Sequence, residues 1–242
     1  MNKYVDIHTH ILPRTPLGPS DVETALEMLQ ALGAHGIKTA VATPLFDAAC
    51  ESLDDFLQSR DDAFRALLPL IPPTAPNVVC GACVLLCPEV LKCRQLDRLR
   101  ISETDFALVK IPDNAEISEE LLSLLEHFRT ASQLTPIICE ADTLFAHTDI
   151  EDLLALQENG ALLQISCGGI LSQETRKLCL YLLGNHIAQF VSSGFRETAE
   201  SPQLIEAIRV LKRSLPLEKY KRIKNNAGML LSGAERSTLI GG

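Results

Sequence analysis

Short apolar runs and amphipathic stretches alternate from one end of the chain to the other. Residues 4–8 read as a short buried strand. Pro19-Ser20-Asp21 then opens a helix on which Val22, Ala25, Leu26, Leu29 and Leu32 recur at helical spacing, and His35-Gly36 ends it. The same reading predicts further strands over residues 37–43, 77–84, 106–111, 136–139, 161–165 and 187–192. Helices are predicted over 52–67, 117–131, 149–158, 172–183, 202–213 and 217–231, with a helical turn at 88–93. Their ends carry ordinary signals. Ser118 precedes Glu119 and Glu120, acids that suit the positive end of a helix dipole, and Asn159-Gly160 and Gly184-Asn185 are stops.

Seven short strands, apolar along both faces and each followed by a helix, imply parallel strands joined by right-handed crossovers. A closed barrel and a doubly wound sheet both satisfy that pattern, and both put the functional face at the C-terminal ends of the strands. The chain contains no Pro/Gly/Ser-rich linker and no low-complexity block, so residues 1–233 are expected to form one domain and 234–242 a flexible tail.

Composition narrows the classes. Of 242 residues, 46% are hydrophobic and 22% charged, which is enough apolar material for a sizeable soluble core. No apolar run approaches the ~20 residues of a membrane helix, and the first residues lack a signal-peptide pattern, so a cytoplasmic location is expected. A net charge of −9 with scattered Lys and Arg, no Trp and 3 Tyr argues against a nucleic-acid partner. Cys80, Cys83, Cys87 and Cys93 lie close together, but their spacing matches no familiar zinc or iron–sulfur run, and buried thiols are the expected role.

The chemistry is concentrated where strands end. Asp6-Ile7-His8-Thr9-His10 closes the first strand. Residues two apart on a strand point the same way, so both imidazoles reach one point, as ligands of a divalent metal do. The other strand ends are Thr43-Pro44-Leu45, Gly81-Ala82-Cys83, Val109-Lys110-Ile111-Pro112, Cys139-Glu140-Ala141-Asp142, Ser166-Cys167 and Ser193-Gly194-Phe195-Arg196. None supplies a further histidine; His35, His127, His147 and His186 suit surface or helix-end roles. Cys167 reads as a small pocket-lining thiol.

These motifs resemble the CpsB/CapC-type bacterial tyrosine-protein phosphatases of the PHP (polymerase and histidinol phosphatase) superfamily. The resemblance rests on Asp6-Ile7-His8-Thr9-His10-Ile11-Leu12-Pro13, then Gly18-Pro19, Leu26-Glu27-Met28-Leu29, Gly36-Ile37 and Ala42-Thr43-Pro44. Ala107-Leu108-Val109 with Pro112, Thr135-Pro136-Ile137, Gly160 with Leu162 and Gln164-Ile165, and Asn226-Ala227 with Leu230-Leu231 follow in family order. The resemblance implies a distorted seven-stranded (β/α) barrel and metal-dependent hydrolysis of phosphotyrosine on kinases that control capsule or exopolysaccharide synthesis.

The departures from the family pattern bear on activity. Pro16-Leu17-Gly18 stands where the family has Asp-Asp-Gly, Leu45 where it has His, Cys83 where it has Glu, and Lys110 where it has Glu. Cys139-Glu140-Ala141-Asp142-Thr143 replaces Ala-His-Pro-Glu-Arg, and Ser193-Gly194-Phe195-Arg196 replaces Ser-Asp-Ala-His. Only His8 and His10 remain as family-type ligands.

Two readings stay open. In one the chain is a pseudo-phosphatase without metal. Lys110 then pairs with Glu140 or Asp142, and Lys110, Asp142 and Arg196 line a cleft that takes a phosphorylated or acidic peptide, or a tyrosine kinase. In the other, one divalent ion, Zn or Mn, sits on a rebuilt site of His8, His10, Cys83 and Glu140 and supports hydrolysis. A carboxylated Lys110 bridging two metals is a third arrangement, for which the missing histidines leave few ligands.

Overall fold

The computed structural model describes residues 4–113, 115–197 and 201–240. The chain opens with β1 (Tyr4–Thr9), α1 (Val22–Ala34), β2 (Ile37–Ala42), β3 (Leu45–Phe46) and α2 (Leu53–Leu67). It continues through β4 (Asn77–Cys80), β5 (Cys83–Leu85), β6 (Phe106–Lys110), α3 (Glu119–Ser132), β7 (Thr135–Ile138) and α4 (Ile150–Glu158). The last part is β8 (Leu162–Ser166), α5 (Cys167–Leu171), α6 (Arg176–Gly184), β9 (Phe190–Ser192), α7 (Leu204–Ser214), α8 (Leu217–Leu231) and α9 (Arg236–Ile240).

Local chemistry sets many of these boundaries. The Asp21 carboxylate accepts from Thr24 N at 2.8 Å and starts α1. Ser52 and Ser118 do the same for α2 and α3, and Asp149 and Asp152 form a reciprocal capping box at α4. Gly36, at φ +78°, makes the left-handed step that ends α1 and begins β2.

The strand expected over 37–43 is β2; beyond Pro44, which has no N–H to give a ladder, the short strand β3 follows as an element the sequence did not predict. Beside it, the strand expected over 77–84 splits at Gly81-Ala82 into β4 and β5, and Gly81 N and Cys83 N instead donate to Ala42 O (2.9 Å) and Pro44 O (3.0 Å). Every strand pair is parallel, as predicted. The expected distorted seven-stranded barrel is seen only as parallel sheets: among the described residues the order is β1-β2-β4 in one sheet and β3-β5-β6-β7-β8-β9 in another. The two do not close into one continuous ladder. An isolated bridge, Thr9 to Phe195, joins the end of β1 to the segment after β9. There Gly194 N donates to His8 O (3.1 Å) and His10 N to Phe195 O (2.8 Å).

The larger core cluster lies between helices and strands. A second cluster gathers Ile7, Val41, Leu108, Ile137, Leu162 and Phe190 from the strands with Ala227, Leu230 and Leu239 from α8 and α9. Asn226 Nδ2 on α8 donates to Gln189 O, at the entry to β9, at 2.9 Å. The C-terminal helices thus pack at the end where strands begin and leave the opposite end for a cleft. This corrects the loose tail: residues 236–240 form α9, whose Leu239 is fully buried. No helix among the described residues is long and apolar enough to cross a membrane.

Candidate functional site

At the C-terminal ends of the strands lies a cavity of about 420 Å³. His8, His10, Cys83, Lys110, Glu140 and Arg196 line it, with Leu17 and Leu45 among its apolar walls. Six of the seven side chains singled out in the sequence therefore meet here. The seventh, Asp142, is turned away: its carboxylate accepts from Ser166 N and Ser166 Oγ, both at 2.6 Å, and pins the junction of β8 and α5. Cys167 is likewise buried in the core and does not line this cavity.

The electrostatic centre of the cleft is Glu140. Lys110, the last residue of β6, brings Nζ within 3.0 Å of Glu140 Oε2, and Arg196 Nη2 lies 3.3 Å from Glu140 Oε1. Lys110 also reaches Asp113 Oδ1 at 2.8 Å, so Asp113 takes the place that the sequence offered to Asp142. Burial favours the neutral carboxyl of Glu140, but the charges of His8, Lys110 and Arg196 prevail and hold its pKa below the ordinary value. For Lys110, burial is outweighed by the bond to Asp113 and the charge of Glu140, and its pKa is raised. Both charges therefore persist near neutrality.

The backbone around Glu140 is shaped for this. Glu140 sits at φ +52°, an uncommon conformation for a residue with a side chain, and its N–H donates to Gln164 Oε1 at 3.0 Å. Opposite it, Gly194 is at φ +63°, and a Cβ there would come within 2.9 Å of Glu140 Oε1. Glycine is required both for the turn and for the space.

Beneath the ion pairs lies a second group. Cys83, at the start of β5, and Cys139, just past β7, place their sulfurs 3.5 Å apart, and His8 joins them. The donor atoms of these three buried residues lie within 4.8 Å of one another. The hydrogen bond from Cys139 pulls the Cys83 thiol down to about 6 against the effect of burial, with His8 assisting. The four-cysteine grouping is not assembled: Cys83 meets Cys139, and Cys80, Cys87 and Cys93 are not part of the cluster.

His8 and His10 are almost fully buried, and Nδ1 of each has no hydrogen-bond partner. Their ring centroids are 5.0 Å apart. Burial, then the charges of His8, Arg196 and Lys110, keeps the His10 pKa well below the usual histidine value. Asp6 accepts from Ser193 N and Oγ and ties the first strand to the segment after β9.

Sequence reasoning missed Cys139 and Asp113. Cys139 stood in a strand-end motif next to Glu140, but its convergence with Cys83 from two strands away is a product of sheet curvature. Asp113 stood three residues beyond Lys110, a spacing a tight turn brings within reach.

Comparison with known proteins agrees with this architecture. Tyrosine-protein phosphatase YwqE of Bacillus subtilis (strain 168) is 27% identical over 245 aligned positions, covering 94% of this chain and 91% of that protein. A solved structure from the pair YwqE of Bacillus subtilis and CpsB of Streptococcus pneumoniae, described as unique metal-dependent tyrosine phosphatases, superposes with a TM-score of 0.80. It is 22% identical and covers 96% of this chain and 95% of its own. The fold also resembles dihydropyrimidinase from Brevibacillus agri NCHU1002, with a TM-score of 0.54, 11% identity and coverage of 91% and 68%. The family model for capsular polysaccharide synthesis, CpsB/CapC, matches residues 4–232, nearly the whole chain, and the protein belongs to that family.

Proposed function

We propose that this chain is a non-hydrolytic member of the CpsB/CapC family whose cleft binds a phosphorylated or acidic peptide, such as the phosphotyrosine segment of a kinase linked to capsule synthesis. The observation that carries the reading is the Lys110–Glu140–Arg196 arrangement, with contacts of 3.0 and 3.3 Å. A centre of several divalent ions needs bridging carboxylates with free lone pairs. Here the buried carboxylate in the cleft is already engaged by two cations, and an ammonium group stands among the strand ends where further cations would repel it. The donors present do not fit such a centre.

The same residues favour an anionic peptide. The Arg196 side chain is 41% exposed and bonds Glu140 through one nitrogen at 3.3 Å, leaving other guanidinium donors for a phosphate or carboxylate. The apolar walls at Leu17 and Leu45 suit an aromatic side chain. The seven strand positions, with β2/β3 and β4/β5 as interrupted pairs, support a distorted seven-stranded barrel of the PHP type as the underlying plan. A cytoplasmic location belongs with this reading.

The alternative is a hydrolase with one divalent ion, Zn or Mn, on His8, His10, Cys83 and Glu140. The observation in its favour is the pair of buried imidazoles with unpartnered Nδ1 atoms. Against it stands the engagement of both Glu140 oxygens.

Turnover and binding separate the two. On p-nitrophenyl phosphate and phosphotyrosine peptides, with and without Mn, turnover is expected far below ~1 s⁻¹, the lower end of ordinary enzymes. Calorimetry should show binding of the phosphotyrosine peptide, not its unphosphorylated form, weakened in Arg196→Ala. Turnover of ~1 s⁻¹ or faster that His8→Ala abolishes would overturn the non-hydrolytic reading.

A further inference from the structure

We propose that His8, Cys83 and Cys139 form a site for a single thiophilic divalent cation, zinc in the first instance, with a donor set different from the imidazole-and-carboxylate centre that the family resemblance implies. The inference stands apart from the peptide-binding reading, because neither Lys110 nor Arg196 takes part in it.

The geometry carries it. In a sheet, neighbouring strands lie about 4.8 Å apart, so Cys83 on β5 and Cys139 after β7, with β6 between them, would be nearly 10 Å apart on a flat surface. The curvature of the sheet turns both side chains to the concave face and brings the sulfurs to 3.5 Å. That is too long for a disulfide, whose sulfurs are about 2.05 Å apart. It is close to the edge of a tetrahedral zinc site, where two Zn–S bonds of about 2.3 Å put the sulfurs about 3.8 Å apart. An opening of a few tenths of an ångström seats the ion.

The third donor is present. His8 is 1% exposed, its donor atom lies within 4.8 Å of both sulfurs, and its Nδ1 has no partner. Imidazole with two thiolates is a recurrent zinc donor set, and sulfur ligands select zinc over manganese or magnesium. Two thiolates also balance the charge of a divalent ion without help from Glu140, which Lys110 and Arg196 already neutralise. His8 and Cys83 line the cleft, which gives the ion a path in.

The experiment uses the full chain, reduced, stripped with chelator and purified without affinity-tag metal. Titration with zinc, followed by elemental analysis, should give one equivalent bound. Titration with cobalt(II) should give sulfur-to-cobalt charge-transfer absorption and the visible bands of tetrahedral cobalt. Cys83→Ser and Cys139→Ser should each remove the charge-transfer intensity in part and weaken binding at least tenfold, whereas Glu140→Gln should leave both in place. Should the serine variants fail to fold, the wild-type chain provides the second measurement: X-ray absorption of the zinc-loaded chain should show two sulfur neighbours at about 2.3 Å from the zinc. The proposal is overturned by a folded, reduced chain that takes up no zinc, by a cobalt spectrum without sulfur charge transfer, by zinc binding indifferent to Cys139→Ser, or by a Cys83–Cys139 disulfide that persists under the reducing conditions.

Discussion

The Lys110–Glu140 pair offers the sharpest test of the cleft. Lys110→Met removes the ammonium group and keeps most of the alkyl stem, so packing changes little. At 3.0 Å and an effective dielectric constant of about 20, the attraction between unit charges is about 5–6 kcal/mol. Part of that is offset by the desolvation of two side chains that are 19% and 11% exposed. Removing one partner of a fully buried pair costs about 3–5 kcal/mol, and an exposed pair is worth about 0.2–1 kcal/mol. Glu140 keeps Arg196 at 3.3 Å, but that arginine is 41% exposed and its charge is screened. We expect a loss of about 2–3 kcal/mol, between those limits. For a chain of 242 residues this lowers Tm by roughly 4–12 °C.

The assay is urea denaturation of the wild type, Lys110→Met, Glu140→Gln and the double variant. Glu140→Gln removes the charge that Lys110→Met strands, so the double variant should recover about 1–2 kcal/mol relative to the sum of the single losses. A coupling within about 0.5 kcal/mol of zero would show that the two groups do not depend on each other. The account of the cleft as a neutralised ion-pair site would then fall.

Gly194→Ala forces a side chain onto a left-handed backbone and a Cβ to within 2.9 Å of Glu140 Oε1, so it should destabilise by at least about 1–2 kcal/mol. Urea denaturation measures it, and an unchanged midpoint would contradict the geometry assigned to this turn. Deleting residues 234–242 should cost about 1.5–3 kcal/mol through loss of the buried Leu239 side chain. A loose tail would come off with no change in Tm.

The sequence made the strand ends legible and left their convergence hidden. His8 and His10 were found because alternation along a strand is a local rule, and both do line the cleft. Lys110 and Glu140 were paired from a matched exchange of charge, and they meet at 3.0 Å. Asp142 was offered for the same role because it too is an acid at that strand end. A short turn instead gives it to Ser166 at 2.6 Å, a competition that only coordinates decide. Cys139 escaped notice because its partner is 56 positions away, on a strand that is not its neighbour. Pro44 and Gly81 were visible as residues, but their effect was not: two breaks at the same height on adjacent strands divide the strands into two sheets.

The junction between the first strand and the last sets an order on how the cleft comes into being. Asp6 is held by Ser193, 187 positions later, and His10 N by Phe195 O at 2.8 Å. On a ribosome working at 5–20 residues per second, the opening segment waits roughly 10–40 s for the partner that fixes it. During that interval the two imidazoles belong to a strand with one side unpaired, while the intervening βα units are already emerging. The residues made first are therefore among the last to reach their final positions, and the pocket cannot be complete until synthesis has passed Arg196.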